Sequence, residues 1–415
     1  MVFTWAQRGS RWAAASAVAL ALWASAAPTL IYPAYASAWH LTTAVTTTVF
    51  AVYPVALIGT LLLLGGFAET VGTRNAILAG LGFLGLGALT FLLAPNLALL
   101  LVGRALMGIG VGLSLGPATS VIASARPDGA RDRTGAITAG ASAVGLITAL
   151  LVGGASVQFG PSPLHTGYVA LLAGAVVALL AAWYLPRAAR SDAARSDAAR
   201  WRPRRPSVPQ DRRPFLAGAL GISAAYALGA IFLGVGAQFA RDTVRSDDAF
   251  VNGLVLAISA AAIGAVALLA GRLGASSGLR LGALAAVSAR ALMITAGAAH
   301  SMPLLVLYSL VGGAGYSLLF SAGVTLVTRS APAEHRAATT SAAYLIAYLV
   351  QAAVALGVGA LGTAQGLQTA LIAGSATVVA LALAALLTLR ARATSRDALP
   401  TPTPHDNLMK ASSSR

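Results

Sequence analysis

Gly65-Gly66-Phe67-Ala68-Glu69-Thr70-Val71-Gly72-Thr73-Arg74 sets one acid and one base in a glycine-bounded turn between two long apolar stretches. Outward from this loop the chain repeats one theme. Apolar stretches of bilayer-spanning length, about 20 residues each, fall near 13–36, 42–66, 75–94, 97–124, 134–157 and 165–185. A second set falls near 214–239, 250–271, 279–299, 303–328, 338–362 and 367–389. Hydrophobic residues make up 57% of the 415 and charged residues 10%, against about 25% charged in a soluble domain. Such a composition cannot build a water-facing surface. The runs are continuous rather than alternating, which excludes a transmembrane barrel. The fold class expected is an all-α membrane protein, with twelve transmembrane helices in two pseudo-symmetric six-helix bundles.

The bundles are read as residues 1–185 and 214–392. Between them, 186–213 is polar and Arg-rich, with the tandem Arg190-Ser191-Asp192-Ala193-Ala194 and Arg195-Ser196-Asp197-Ala198-Ala199. That low-complexity stretch reads as a flexible cytoplasmic linker, and 393–415 as a disordered cytoplasmic tail.

Charge placement supports the topology. With the N-terminus inside, one face carries Arg8, Arg11, Arg74, Arg126, Arg131, Arg133, the linker arginines, Arg272, Arg280, Arg329 and Arg336. The other carries only Arg241 and Arg245, beside Asp242, Asp247 and Asp248. This is the positive-inside pattern of a multi-pass cell-membrane protein with both termini cytoplasmic. It accounts for the net charge of +16 without nucleic acid. Arg8, Arg11 and Ala24-Ser25-Ala26 also resemble a cleavable secretory signal. The apolar run continues to Tyr35, however, and its removal would break the charge pattern, so it is read as the first span.

The halves resemble each other. At an offset of 203, Gly110, Gly112 and Ser114 match Gly313, Gly315 and Ser317, and Arg126 and Arg133 match Arg329 and Arg336. Gly72 and Arg74 recur as Gly278 and Arg280 at an offset of 206. Repeated halves about an axis along the membrane normal are a transporter arrangement.

Several chemistries are excluded. There are no cysteines, so disulfides, thiol catalysis and cysteine metal sites are absent. Gly112-Leu113-Ser114-Leu115-Gly116 matches a hydrolase serine motif, but that motif needs a strand–turn–helix and a histidine partner. Here it sits within a span, and His40, His165, His300, His335 and His405 all map to loops or the tail. No phosphate-binding Gly-rich loop with Lys-Ser/Thr is present. No enzyme activity and no cofactor are expected.

With these motifs in place, the chain resembles the major facilitator superfamily over nearly its whole length. Gly65, Ala68, Gly72 and Arg74 fit the signature between that family's second and third helices; Glu69 stands where Asp is usual, and Thr70 and Thr73 replace basic residues. Gly103-Arg104-Ala105-Leu106-Met107-Gly108-Ile109-Gly110 looks like its fourth-helix Arg-x-x-Gln-Gly-x-Gly pattern, with Met107 for Gln. The fifth segment lacks the Gly-Pro pair of drug–proton antiporters.

The resemblance implies alternating access by a monomer in the lipid bilayer. It implies Gly65, Glu69, Gly72 and Arg74 as a gating motif, with Glu69 facing the eleventh helix near Arg336–Ala337. Arg104 is implied as a coupling or cavity charge. Trp23, Thr29, Tyr32, Tyr226, Tyr308, Tyr316, Phe320, Tyr344, Tyr348 and Gln351 are the candidate substrate-cavity groups; Tyr344, Tyr348 and Gln351 share one helix face. Arg290 has no motif behind it and is read as a packing residue or a misplaced span boundary. No Asp, Glu or Lys lies within the first, fourth, seventh or tenth segments, which favours a neutral or anionic substrate. The function expected is proton-coupled efflux of a small organic compound by a bacterial protein. Uptake of a nutrient or organic anion, and a non-transporting sensor on the same scaffold, are the alternatives.

Overall fold

The computed structural model describes residues 2–64, 67–124, 134–186, 209, 212–242, 244–270, 272–332 and 335–397. Gly65, Arg126, Arg131, Arg133, the tandem repeat of the linker and most of the tail therefore lie outside the described residues.

Without water in the bilayer core, each span must satisfy its backbone internally, and helices do so. Fourteen helices occur among the described residues. In the first half they are α1 (Val2–Ala26), α2 (Tyr32–Trp39), α3 (Thr43–Leu64), α4 (Phe67–Val71), α5 (Thr73–Leu92), α6 (Leu97–Ser124), α7 (Thr134–Phe159) and α8 (Thr166–Trp183). In the second they are α9 (Arg212–Asp242), α10 (Ala249–Ala270), α11 (Ala275–Ala298), α12 (Met302–Arg329), α13 (Arg336–Gln365) and α14 (Leu367–Asp397). Eleven are long and apolar enough to cross a bilayer; α1 and α2 together make the twelfth crossing.

The first crossing departs from the single span read over 13–36. Pro28 has no N–H for the Ala24 carbonyl four residues back, and the helix ends at Ala26. A turn at 27–31 follows before α2. Its counterpart α9 is continuous. In the signature loop, Gly72 caps α5 with φ +90°, a left-handed conformation that suits glycine alone.

Within each half, small residues let helices touch. A Cβ on Gly108 would lie 2.5 Å from the Tyr53 carbonyl oxygen of α3, and one on Gly110 would lie 2.7 Å from the Gly80 carbonyl oxygen of α5. In the second half Gly313 backs onto Ser259 of α10 in the same way, and Gly315 onto Ala286 of α11. Equivalent faces therefore pair Gly108 with Gly313 and Gly110 with Gly315, an offset of 205 rather than the 203 read from sequence. The alternating glycines make the pattern repeat every second residue, so the sequence match slips by two.

The halves join through α3 against α13 and α7 against α10. The join is tightest where the Arg-poor loops lie. A Cβ on Gly154 would fall 2.6 Å from the Ala249 carbonyl oxygen, and one on Gly253 the same distance from that of Leu150. Gly359 abuts Thr47. The Ala44 N–H donates to Thr363 Oγ1 (2.9 Å), the Ala249 N–H to Gln158 Oε1 (3.0 Å), and Gln238 Nε2 to Thr43 Oγ1 (3.3 Å). Arg241 Nη1 reaches across to the Pro33 carbonyl (3.2 Å) and Ser37 Oγ (3.1 Å) of α2. Toward the Arg-rich end this contact thins. Gly264 still meets Ala143, but a Cβ on Gly59, Gly116, Gly135 or Gly140 would find nothing within 4 Å.

Candidate functional site

Arg104 is fully buried in α6. A lone cation in the membrane interior costs at least about 2.5 kcal/mol on insertion scales, so it needs partners. It finds them in the break of the first crossing. Its Nη1 donates to the carbonyls of Ser25 (3.1 Å) and Ala24 (3.4 Å). Pro28 leaves the Ala24 carbonyl without a helical donor, and the Thr29 N–H, which would serve Ser25, turns to Ala26 instead (3.0 Å). The guanidinium thus caps the negative end of α1. Its carbon lies 4.8 Å from the Tyr53 ring centre and 5.7 Å from that of Phe50, both on α3, a cation–π seat. Nε and Nη2 meet no protein acceptor.

Across the central axis, three helices bring rings together. Tyr226 (α9), Tyr316 and Phe320 (α12) and Tyr344 (α13) have neighbouring ring planes 8° to 17° apart and centroids 6.1 to 6.5 Å apart. Tyr348 meets Tyr226 edge-on at 4.7 Å and 62°. Tyr316/Phe320 and Tyr344/Tyr348 are i, i+4 pairs, so each pair projects from one face. From the first half, Phe50 of α3 lies 3.9 Å from where a Cβ on Gly234 of α9 would stand. Gln351 continues the α13 face; it is 9% exposed and its Oε1 has no partner.

The other residues singled out in the sequence go elsewhere. Trp23 packs on α8, where a Cβ on Gly174 would lie 2.9 Å from its ring. Thr29 is buried in the turn after α1, and Tyr32 at the start of α2. Tyr308 lies under Arg290 of α11, 4.9 Å from ring centre to guanidinium, rather than in the ring group. Arg290 is well inside α11 and 2% exposed, donating to Met293 Sδ (3.5 Å), so it is a buried residue and not a misplaced boundary. In the signature loop, Arg74 is 8% exposed and donates from Nε (3.1 Å) and Nη2 (2.7 Å) to the Trp183 carbonyl, capping α8. Glu69 sits exposed on α4, which packs on α5 and α6. Ser114 donates to the Gly110 carbonyl of its own helix (2.8 Å), as a membrane serine does and a nucleophile does not. Phe50, Tyr53 and Pro28 are not singled out in the sequence, and Arg241 only for its side of the membrane; of the first three, Pro28, inside an apolar run, has a visible signal.

A sequence-profile match to the Major Facilitator Superfamily covers residues 13–243 and 242–413. The chain belongs to the Major Facilitator Superfamily. It is accordingly a multi-pass membrane transporter rather than an enzyme. No curated protein matches it by sequence. Among solved structures, a mutant form of the nucleoside transporter NupG superposes with a TM-score of 0.71 at 14% identity, over 92% of this chain and 99% of that one. A bacterial homologue of the human lysosomal transporter Spinster, inward-facing and unoccupied, gives 0.70 at 16%, over 93% and 97%. A POT family transporter in complex with 5-aminolevulinic acid gives 0.68 at 15%, over 91% and 95%. At these identities the likeness is one of fold.

Proposed function

We propose that this protein exports a small organic compound across the cell membrane in exchange for protons, as a monomer with both termini cytoplasmic. The observation that carries the reading is the aromatic wall of α9, α12 and α13, with Phe50 of the other half packed against α9. A solute held between the halves touches both, which is what alternating access requires. The arginine distribution supports placing the Arg-rich end in the cytoplasm, with residues 186–213 as the linker between the bundles. Contact between the halves thins toward that end, in keeping with loading from inside. Arg104 is proposed as the charge that braces the cavity wall through Tyr53 and the end of α1; an arginine keeps its proton, so it does not carry one across.

Proteoliposomes with an imposed pH gradient test this directly. Gradient-driven accumulation of a panel compound in inside-out vesicles, cut about tenfold by Tyr226→Ala, is the expected result. Accumulation only in right-side-out vesicles would reverse the direction and favour uptake of an organic anion against Arg104. Counterflow absent for every compound would favour a sensor.

Glu69 is proposed as a latch that holds the Arg-rich end shut in the opposite state, through the positive N-terminus of α13. A carboxylate at a helix N-terminus is worth about 0.3–1 kcal/mol. Glu69→Gln should therefore lower transport severalfold and raise labelling of a single cysteine at Ser341, near the start of α13. Wild-type transport with unchanged labelling would rule the latch out.

A further inference from the structure

The proposed central site raises the question of what shape of solute it fits, and its rings answer more narrowly than its polarity does. We propose that the site takes a flat, uncharged aromatic ring system bearing an N–H or O–H donor. This rests on the reading of the aromatic wall as the central site.

Three observations lead there. The first is alignment. Rings from three separate helices share one orientation to within 17° between neighbours, whereas the ring pairs Tyr35/Trp39, Phe91/Tyr168 and Phe159/Phe250 lie 25° to 59° apart. A flat body laid against one of them is parallel to the others. Tyr348, at 62° to Tyr226, closes one side edge-on, so the same body gains a stacked and an edge-to-face partner together, the two favoured aromatic geometries. The second is exposure. Tyr316, Phe320, Tyr344 and Tyr348 are each partly exposed, so part of each side chain remains open to a solute.

The third is the polar inventory. Gln351 Oε1, on the face of Tyr344 and Tyr348, is buried without a donor. A buried acceptor left unpaired is costly, and a solute N–H or O–H beside the rings would satisfy it. No Asp or Glu lies within α9, α12 or α13 except Asp242 at the Arg-poor end of α9. A cation would find no counter-charge. Arg104 is fully buried behind Phe50 and Tyr53, so an anion would have to displace those rings to reach it.

Equilibrium binding of radiolabelled phenanthridinone, a flat neutral lactam with one N–H, to the detergent-purified protein tests the assignment. Saturable binding is expected, about tenfold weaker in Tyr226→Leu and retained in Tyr226→Phe. The N-methylated lactam should bind more weakly to the wild type, but no differently from the parent compound in Gln351→Leu. The perhydro analogue and the cationic N-methylphenanthridinium should not compete. No saturable binding, or equal competition by the perhydro or cationic compound, would overturn the solute class. If a different solute is then found to be transported and Tyr226→Leu blocks it, the central site stands and only the class falls. If Tyr226→Leu leaves transport unchanged, both fall.

Discussion

Gly154→Leu and Gly253→Leu are expected to abolish transport and to hold the carrier open at its Arg-poor end. At each position the first atom a side chain meets is a backbone carbonyl of the opposite half, 2.6 Å from the Cβ. Backbone cannot rotate out of the way, so the halves must separate. Overpacking costs about 1–3 kcal/mol when neighbours can adjust. At about 3 kcal/mol the closed state loses roughly a hundredfold in population against the open one. The native chain has no cysteine, so a single Thr46→Cys reports the change cleanly. Thr46 lies near the start of α3 and is 4% exposed. It should react with an impermeant maleimide in the leucine variants and stay protected otherwise. Gly140→Leu on the same helix as Gly154, where a Cβ meets nothing within 4 Å, should transport normally. A protected Thr46→Cys in Gly154→Leu would show that α7 and α10 do not form the closure.

The second large effect is expected at Arg104. Arg104→Met removes the donor to two carbonyls at the end of α1, each costing about 1–3 kcal/mol when left unmet. Relief of a buried charge offsets part of this, leaving a net loss of about 3 kcal/mol, read as a fall in the thermal midpoint of the purified protein. Arg104→Lys should not rescue, because an ammonium cannot reach both carbonyls while lying flat against the Tyr53 ring. The decisive comparison adds Pro28→Ala, which restores an N–H to the Ala24 carbonyl. In that background Arg104→Met should cost about 1 kcal/mol less. Equal costs in both backgrounds would mean that Arg104 is not there to cap the break.

The spans were legible because lipid leaves so few options: a run of apolar residues about 20 long has to be a helix, and arginine marks one side. The break at Pro28 was missed because hydropathy runs smoothly across it while the hydrogen-bond ladder does not. Arg104 could be picked out by its charge, but its partners are main-chain carbonyls, which leave no trace in side-chain identity. Tyr344, Tyr348 and Gln351 could be placed on one face by spacing alone. That Tyr226, Tyr316 and Phe320 would join them depends on how three helices cross. Tyr308 does not join them: eight residues from Tyr316 carry it about 80° round α12, toward α11. The repeat register slipped because Gly108, Gly110 and Gly112 look alike in sequence, and only their neighbours in space distinguish them.

The leading helix of one half has an elbow at residues 27–31, while its counterpart α9 runs straight through 31 residues. The short arm beyond the elbow is tied to the far half by Arg241. The same arm is held to its own half by Tyr35, whose hydroxyl donates to the Leu164 carbonyl, so parting the halves at this end has to break the Arg241 tie. The break in the first crossing and the seam between the halves are thus one piece of machinery, because the residue that spans the seam holds the segment just past the break.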